Sequence, residues 1–194
     1  ANLTWDANAA TAGQTDGTGN WLDTDQWWDG AANAIWNNAT PDNAAIGVGG
    51  IGGTITLGTV TAGSLTFSNF TGTYALSDGG LTLNSGLTLQ SGAAAVTISS
   101  PIILGGAQSW LNNSANLLTI SGTVDNGANL LTLGGTGNTT ISSVIGSGAG
   151  GLTKTGTGTL TLNGSAVNTF TGGLNLNGGT LLPDFANLAT PTDL

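Results

Sequence analysis

The feature that most constrains this chain is a three-residue pattern, apolar-x-apolar with x usually Thr, that recurs along most of its length. It reads Ile55-Thr56-Leu57, Leu65-Thr66-Phe67, Leu81-Thr82-Leu83, Leu87-Thr88-Leu89 and Val96-Thr97-Ile98. It continues as Leu118-Thr119-Ile120, Leu131-Thr132-Leu133, Leu160-Thr161-Leu162 and Leu174-Asn175-Leu176. A side-chain period of two places both apolar residues on one face of a strand and Thr on the other. Thr is β-branched and suits a solvated strand face. Gly, Asn, Asp and Ser between the triads are turn residues. There is also direct repetition: the hexapeptide beginning at Leu117 returns, slightly altered, at Leu130. Helix is nearly excluded, because no window of a dozen residues keeps a 3.6-residue apolar period free of Gly.

The triads start about six to ten residues apart, too close for the strands of about five or six and turns every 8–12 residues of a sandwich. Short strands between tight bends fit an all-β solenoid, a parallel β-helix whose coils bend at corners and pair with the coils above and below. Three strands per coil gives roughly twenty-odd residues per coil and about six coils over 51–182. Each coil would stack Leu, Ile, Val or Phe inward and leave Thr and Asn outside. One coil alone does not offset the backbone entropy of ordering it, so the array must cooperate.

Composition divides the chain. Residues 1–50 hold five of the six Trp and six of the ten Asp, and are expected to form a Trp/Asp-rich N-terminal capping region. Residues 51–182 form the coils. Residues 183–194 form a C-terminal extension, a possible contact to a next subunit.

The inventory excludes several functions. Lys154 is the single Lys or Arg, all ten acids are Asp, and His, Cys and Met are absent. Thiol nucleophiles, Ser-His-Asp triads and the usual zinc or iron–sulfur ligand sets are therefore ruled out. A net charge of −9 excludes nucleic-acid binding through a basic patch and docking on anionic lipid. No apolar run approaches the roughly 18–20 residues of a membrane-spanning helix, so membrane insertion is not expected. A hydrophobic content of 39% and a mean hydropathy of +0.18 argue against disorder.

Residues 151–181, from Gly151-Leu152-Thr153-Lys154 through Gly158-Thr159-Leu160-Thr161-Leu162 and Asn168-Thr169-Phe170-Thr171-Gly172-Gly173 to Gly178-Gly179-Thr180-Leu181, closely resemble the autotransporter-associated β-strand repeat. Lys154 occupies the repeat's Lys position. The N-terminal Thr4-Trp5-Asp6, Gly19-Asn20-Trp21, Trp27-Trp28 and Trp36, with Ser64-Leu65-Thr66-Phe67, look like the entry region of large bacterial surface proteins that carry such repeats. The resemblance implies an exported bacterial passenger-type protein, extracellular or on the cell surface, with a right-handed β-helix and no catalytic residues to transfer.

Three clusters have chemical potential. Asp23, Asp25 and Asp29 would offer oxygens to Ca²⁺, although their spacing is not that of an EF-hand; as plain structure they would cap turns. Trp27, Trp28 and Trp36 would stack on a surface glycan, or, with Trp5 and Trp21, would cover the open end of the first coil. A catalytic carboxylate pair is disfavoured, because Asp78, Asp125, Asp184 and Asp193 are far apart and no Arg or His is present to steady charge. The chain is not expected to be an enzyme or to need a cofactor. It is expected to be an extracellular structural subunit of a surface fibre, filament or sheath, a homopolymer formed by end-to-end β-helix stacking. The alternative is an adhesin that binds glycan through its Trp-rich region.

Overall fold

The structure is a computed structural model and describes residues 1–183. Among the described residues there is no helix; about 52% of the chain is strand, wound into a parallel β-solenoid of about seven turns. The part of the proposed C-terminal extension beyond Pro183 lies outside the described residues.

Three ladders run along the solenoid, one per face. On the first, Leu3, Ala44, Leu65, Leu87, Trp110, Leu133, Lys154 and Leu176 are successive parallel partners. On the second, Ile55, Leu76, Ile98, Ile120, Ile141, Leu162 and Pro183 follow one another in register. On the third, Val60, Leu81, Ile102, Val124 and Ile145 do so. Nearly all these side chains are fully buried, so the apolar half of each triad forms one continuous core along the axis. The period is 21 residues from Ala44 to Leu65 and 23 from Trp110 to Leu133, the coil length that the triad spacing predicts. Leu83, Leu133 and Leu162 sit on three different faces of one parallel stack, which excludes a two-layer antiparallel sandwich.

The outward half of the triads forms ladders of its own: Thr97, Thr119, Thr140 and Thr161 stack directly above one another. Corners between faces use glycine where coils touch. Gly58 and Gly79 are register partners with φ of 70° and 116°, and a Cβ on Gly79 would run into the carbonyl oxygen of Gly58. A side chain at that corner would push two coils apart.

The coils begin earlier than Ile51. Asn2–Trp5 and Asn43–Ile51 are already parallel rungs of the first face. The Trp-rich stretch is therefore woven into the first coils and does not sit beyond them. Its remaining segments cover edges. Trp27–Trp28 pairs antiparallel with Thr4 and Trp5, and Asn33–Ala34 pairs antiparallel with Trp27–Trp28. Gly19–Asn20 pairs with Ile55 and Thr56 on the second face. On the third face a side chain replaces a strand: the Asn38 amide donates to the Thr59 carbonyl at 2.9 Å, and its oxygen accepts from the Thr61 N–H at 2.8 Å. Edge strands template unwanted pairing, and here all three faces receive a cover at the N-terminal end.

Candidate functional site

The N-terminal cap is the most elaborate region of the molecule. Trp5, Trp21, Trp27 and Trp36 form one buried cluster with ring centroids 4.6 to 5.3 Å apart, mostly edge to face. Trp27 donates its indole N–H to the Trp21 carbonyl at 2.8 Å, and Trp36 donates to the Thr61 carbonyl at 3.1 Å. Rings of this size close the wide apolar bore of the first coil, and edge-to-face pairs add about 0.5–1.5 kcal/mol each beyond their burial. Of the three Trp expected on a glycan surface, Trp27 is fully buried and Trp36 is 6% exposed, so neither offers a ring face to a sugar. Trp28 is half-buried, on the outer side of its strand.

Trp28 is the antiparallel partner of Thr4, which lines a shallow cleft of about 280 Å³ on the outer surface of the first face. The cleft presents Asn2, Asn43, Ser64, Thr66 and Gln90, hydroxyl and amide groups without a charge.

The structure does not bring Asp23, Asp25 and Asp29 together. Asp23 accepts from the Asn20 amide at 2.8 Å, and Asp25 sits in a turn at φ 65°. Asp29 accepts from the N–H groups of Ala32 and Ala31, both at 2.8 Å, and those bonds hold its carboxyl below the usual carboxylate range. Its role is to cap the hairpin between Trp27–Trp28 and Asn33–Ala34. Among the described residues no three acidic side chains gather at one point.

Two arrangements had no signal in the triad pattern. Asp16 clasps three segments: Oδ1 accepts from the Tyr74 hydroxyl at 2.8 Å, and Oδ2 accepts from the N–H groups of Val48 at 2.9 Å and Gly50 at 2.7 Å. Burial pushes the Tyr74 hydroxyl well above its ordinary value, and the neighbouring Asp16 charge adds to the shift. In the middle coils, Asn112 donates to the carbonyls of Asn138 at 2.7 Å and Asn116 at 2.9 Å, tying two coils from inside a corner.

Lys154 lies in the first ladder between Leu133 and Leu176 and is 3% exposed. Its ammonium turns to backbone carbonyls, those of Thr155, Gly156 and Gly178. Burial lowers its basicity. The last of these carbonyls belongs to the next coil, so the lone cation fastens one rung to another.

The segment around that lysine decides the relationship. Residues 152–182 match the passenger-associated-transport-repeat family, one residue displaced from the stretch whose motif resembles the autotransporter repeat. This chain is a β-solenoid that carries a passenger-associated transport repeat. The repeat spans Leu152–Lys154, Thr159–Leu162, Leu174–Leu176 and most of Thr180–Pro183, two rungs on each of two faces. Its Leu, Thr and Gly positions are those that stack. No curated protein and no solved structure matches the chain.

Proposed function

We propose that this passenger-type β-helix is an exported, extracellular structural protein, a rod segment of a surface fibre, filament or sheath that stacks end to end with further copies. The observation that carries the reading is the unbroken parallel stack, in which three in-register ladders enclose one apolar core along the axis, the build of a stiff rod. At one end, Trp5, Trp21, Trp27 and Trp36 close the bore, and strands or Asn38 cover the edges. The near absence of charged side chains along the coils lets surfaces approach without repulsion. The family of the repeat supports export to the surface. No catalysis is assigned, because the Asp side chains are dispersed and serve turns and clasps.

Sedimentation velocity and electron microscopy across a dilution series test the reading. Rods of constant width whose length grows with concentration are expected. Compact monomers at every concentration would remove self-assembly and leave only a segment of a longer fibre.

A second reading, a glycan-binding adhesin, is favoured by one feature: the uncharged cleft lined by Asn2, Asn43 and Thr66, with Trp28 at its margin. Hydroxyl and amide side chains beside one accessible ring suit a neutral sugar. Glycan-array binding lost on Trp28→Ala, with the fold intact, would support it; binding unchanged by Trp28→Ala would remove it.

A further inference from the structure

The outer side of the first face carries a column of side chains with one short member. In parallel register Thr4 partners Ala45, Ala45 partners Thr66 and Thr66 partners Thr88. Each is the outward neighbour of a core residue, Leu3, Ala44, Leu65 or Leu87. Trp28 is directly opposite Thr4 in the antiparallel pair, so it points to the same side and extends the column by one rung. Ala45, between Thr4 and Thr66, leaves a dip, and the cleft of about 280 Å³ lies there. Its lining comes from four successive coils, as far as Gln90, so the cleft runs across the strands and along the axis.

Polar groups flank the column. Asn2, Asn43 and Ser64 each precede their member of it by two positions and stand about 6.6 Å to one side. Ser68, two positions beyond Thr66, stands on the other side. The Asn43 amide donates to the Asn2 amide oxygen at 2.8 Å, rung to rung, which fixes both side chains. Among the described residues no hydrogen bond within the chain engages the hydroxyls of Thr4, Ser64, Thr66 or Ser68. An anionic ligand would meet a chain of net charge −9 whose single lysine is buried, and a cationic one would find no carboxylate in the lining. A neutral ligand rich in hydroxyls meets neither obstacle.

The rungs repeat at the strand spacing of about 4.8 Å. An extended β-1,4-linked sugar chain is a flat ribbon whose rings advance by nearly that distance, whereas an α-1,4-linked chain coils and leaves a straight ladder. The geometry points to a neutral β-1,4-linked glycan as the ligand, laid along the solenoid axis over Trp28, Thr4, Ala45 and Thr66 with one ring per rung. This rests on the glycan-binding reading of the cleft and adds the linkage, direction and extent of the ligand. Ala45 admits a ring, the flanking hydroxyl and amide groups meet its hydroxyls, and half-buried Trp28 carries the terminal ring.

Isothermal titration calorimetry tests this on the full chain with β-1,4-linked oligomers of glucose and of N-acetylglucosamine, one to six units long. In at least one series affinity is expected to rise several-fold per unit up to about four units, one for each rung, and then to level off. The α-1,4-linked glucose hexamer is expected to bind about tenfold more weakly, or less well still. Ala45→Ile, whose stiff branched side chain suits a strand and fills the dip, is expected to abolish binding of the tetramer. Thr119→Ala, on the second face, is expected to leave it unchanged. Affinity independent of length, equal binding of the α-linked hexamer, or tetramer binding unchanged by Ala45→Ile would overturn the inference. The length series is measured on the parent, so it decides even where Ala45→Ile does not fold. A sugar bound in a Trp28-dependent way with no preference for length or linkage overturns the axial β-linked chain and leaves the cleft a sugar site. Failure of every neutral glycan to bind overturns both.

Discussion

The Tyr74 hydroxyl donates a 2.8 Å hydrogen bond to the Asp16 carboxylate across 58 positions of sequence. Asp16 in turn gathers the backbone N–H groups of Val48 and Gly50, so one carboxylate ties a cap loop to two later coils. Tyr74 is also fully buried against Phe67 and Phe70, with ring centroids 6.1 and 4.8 Å away.

This clasp makes a clean prediction at alkaline pH, because Tyr74 is the single tyrosine. Burial raises its hydroxyl pKa in the fold. A proton held more tightly by the folded chain means stability that is full below the ordinary value of about 10 and is lost as pH rises through the folded value. Absorbance at 295 nm is expected to stay flat through pH 10 and to rise only with unfolding. Titration of a folded protein near pH 10 would show the hydroxyl to be free. Tyr74→Phe, which leaves Asp16 one donor short, is expected to cost about 1–3 kcal/mol in urea denaturation.

Lys154 predicts the opposite slope. Burial lowers its pKa, so the unfolded chain holds the proton more tightly; the neutral-lysine contribution to stability is present above the ordinary value and is lost as pH falls through the folded one. As pH rises towards the ordinary lysine value of about 10.4, the melting temperature of the parent relative to Lys154→Met is therefore expected to rise. Parallel pH profiles for the two proteins would contradict the buried position between Leu133 and Leu176.

Inward and outward residues of one triad are expected to differ sharply. Ile120 is fully buried between Ile98 and Ile141, and Ile120→Ala is expected to cost about 2–5 kcal/mol. Its neighbour Thr119 faces outward, and Thr119→Ala is expected to stay within about 0.5 kcal/mol. Equal effects in denaturant titrations would mean that the two faces have been misassigned.

Corner glycines are expected to be far less tolerant than loop glycines. At Gly156, φ is 68° and a Cβ would run into the Gly135 carbonyl oxygen; at Gly13, nothing lies within 4 Å of such a Cβ. Gly156→Ala is expected to destabilise by about 1–3 kcal/mol or more, and Gly13→Ala to be near neutral. Thermal melts of the two variants distinguish these outcomes.

The coils were legible because their physics is local and repeated. Leu118-Thr119-Ile120 and its counterparts each declare an inner and an outer face, and identical triads stack on one another. The first rungs were hidden because Ala44-Ala45-Ile46 carries Ala where later coils carry Leu and Thr, although it occupies the same register. The cap was legible as a group of Trp but not in its wiring. Which ring is buried depends on the hairpin that folds Trp27 inward and Trp28 outward, and that hairpin is set by Asp29. The Asp23, Asp25 and Asp29 spacing misled because the turn at Asp25 and the cap at Asp29 direct the carboxylates to separate backbone partners. Asp16 and Asn38 belong to no motif, and their partners are set by tertiary neighbours that only the wound chain supplies.

Distances between spin labels on one outer ladder test the winding most directly. Thr54, Ala75, Thr97, Thr119, Thr140, Thr161 and Leu182 are consecutive in-register partners on the second face. With strands spaced about 4.8 Å apart, labels at 54 and 140 are expected about 19 Å apart, and labels at 54 and 182 about 29 Å apart. A separation that grows by one strand spacing per coil is the result a parallel solenoid requires. Distances that fail to grow with the number of coils, or that shorten from the first pair to the second, would contradict it.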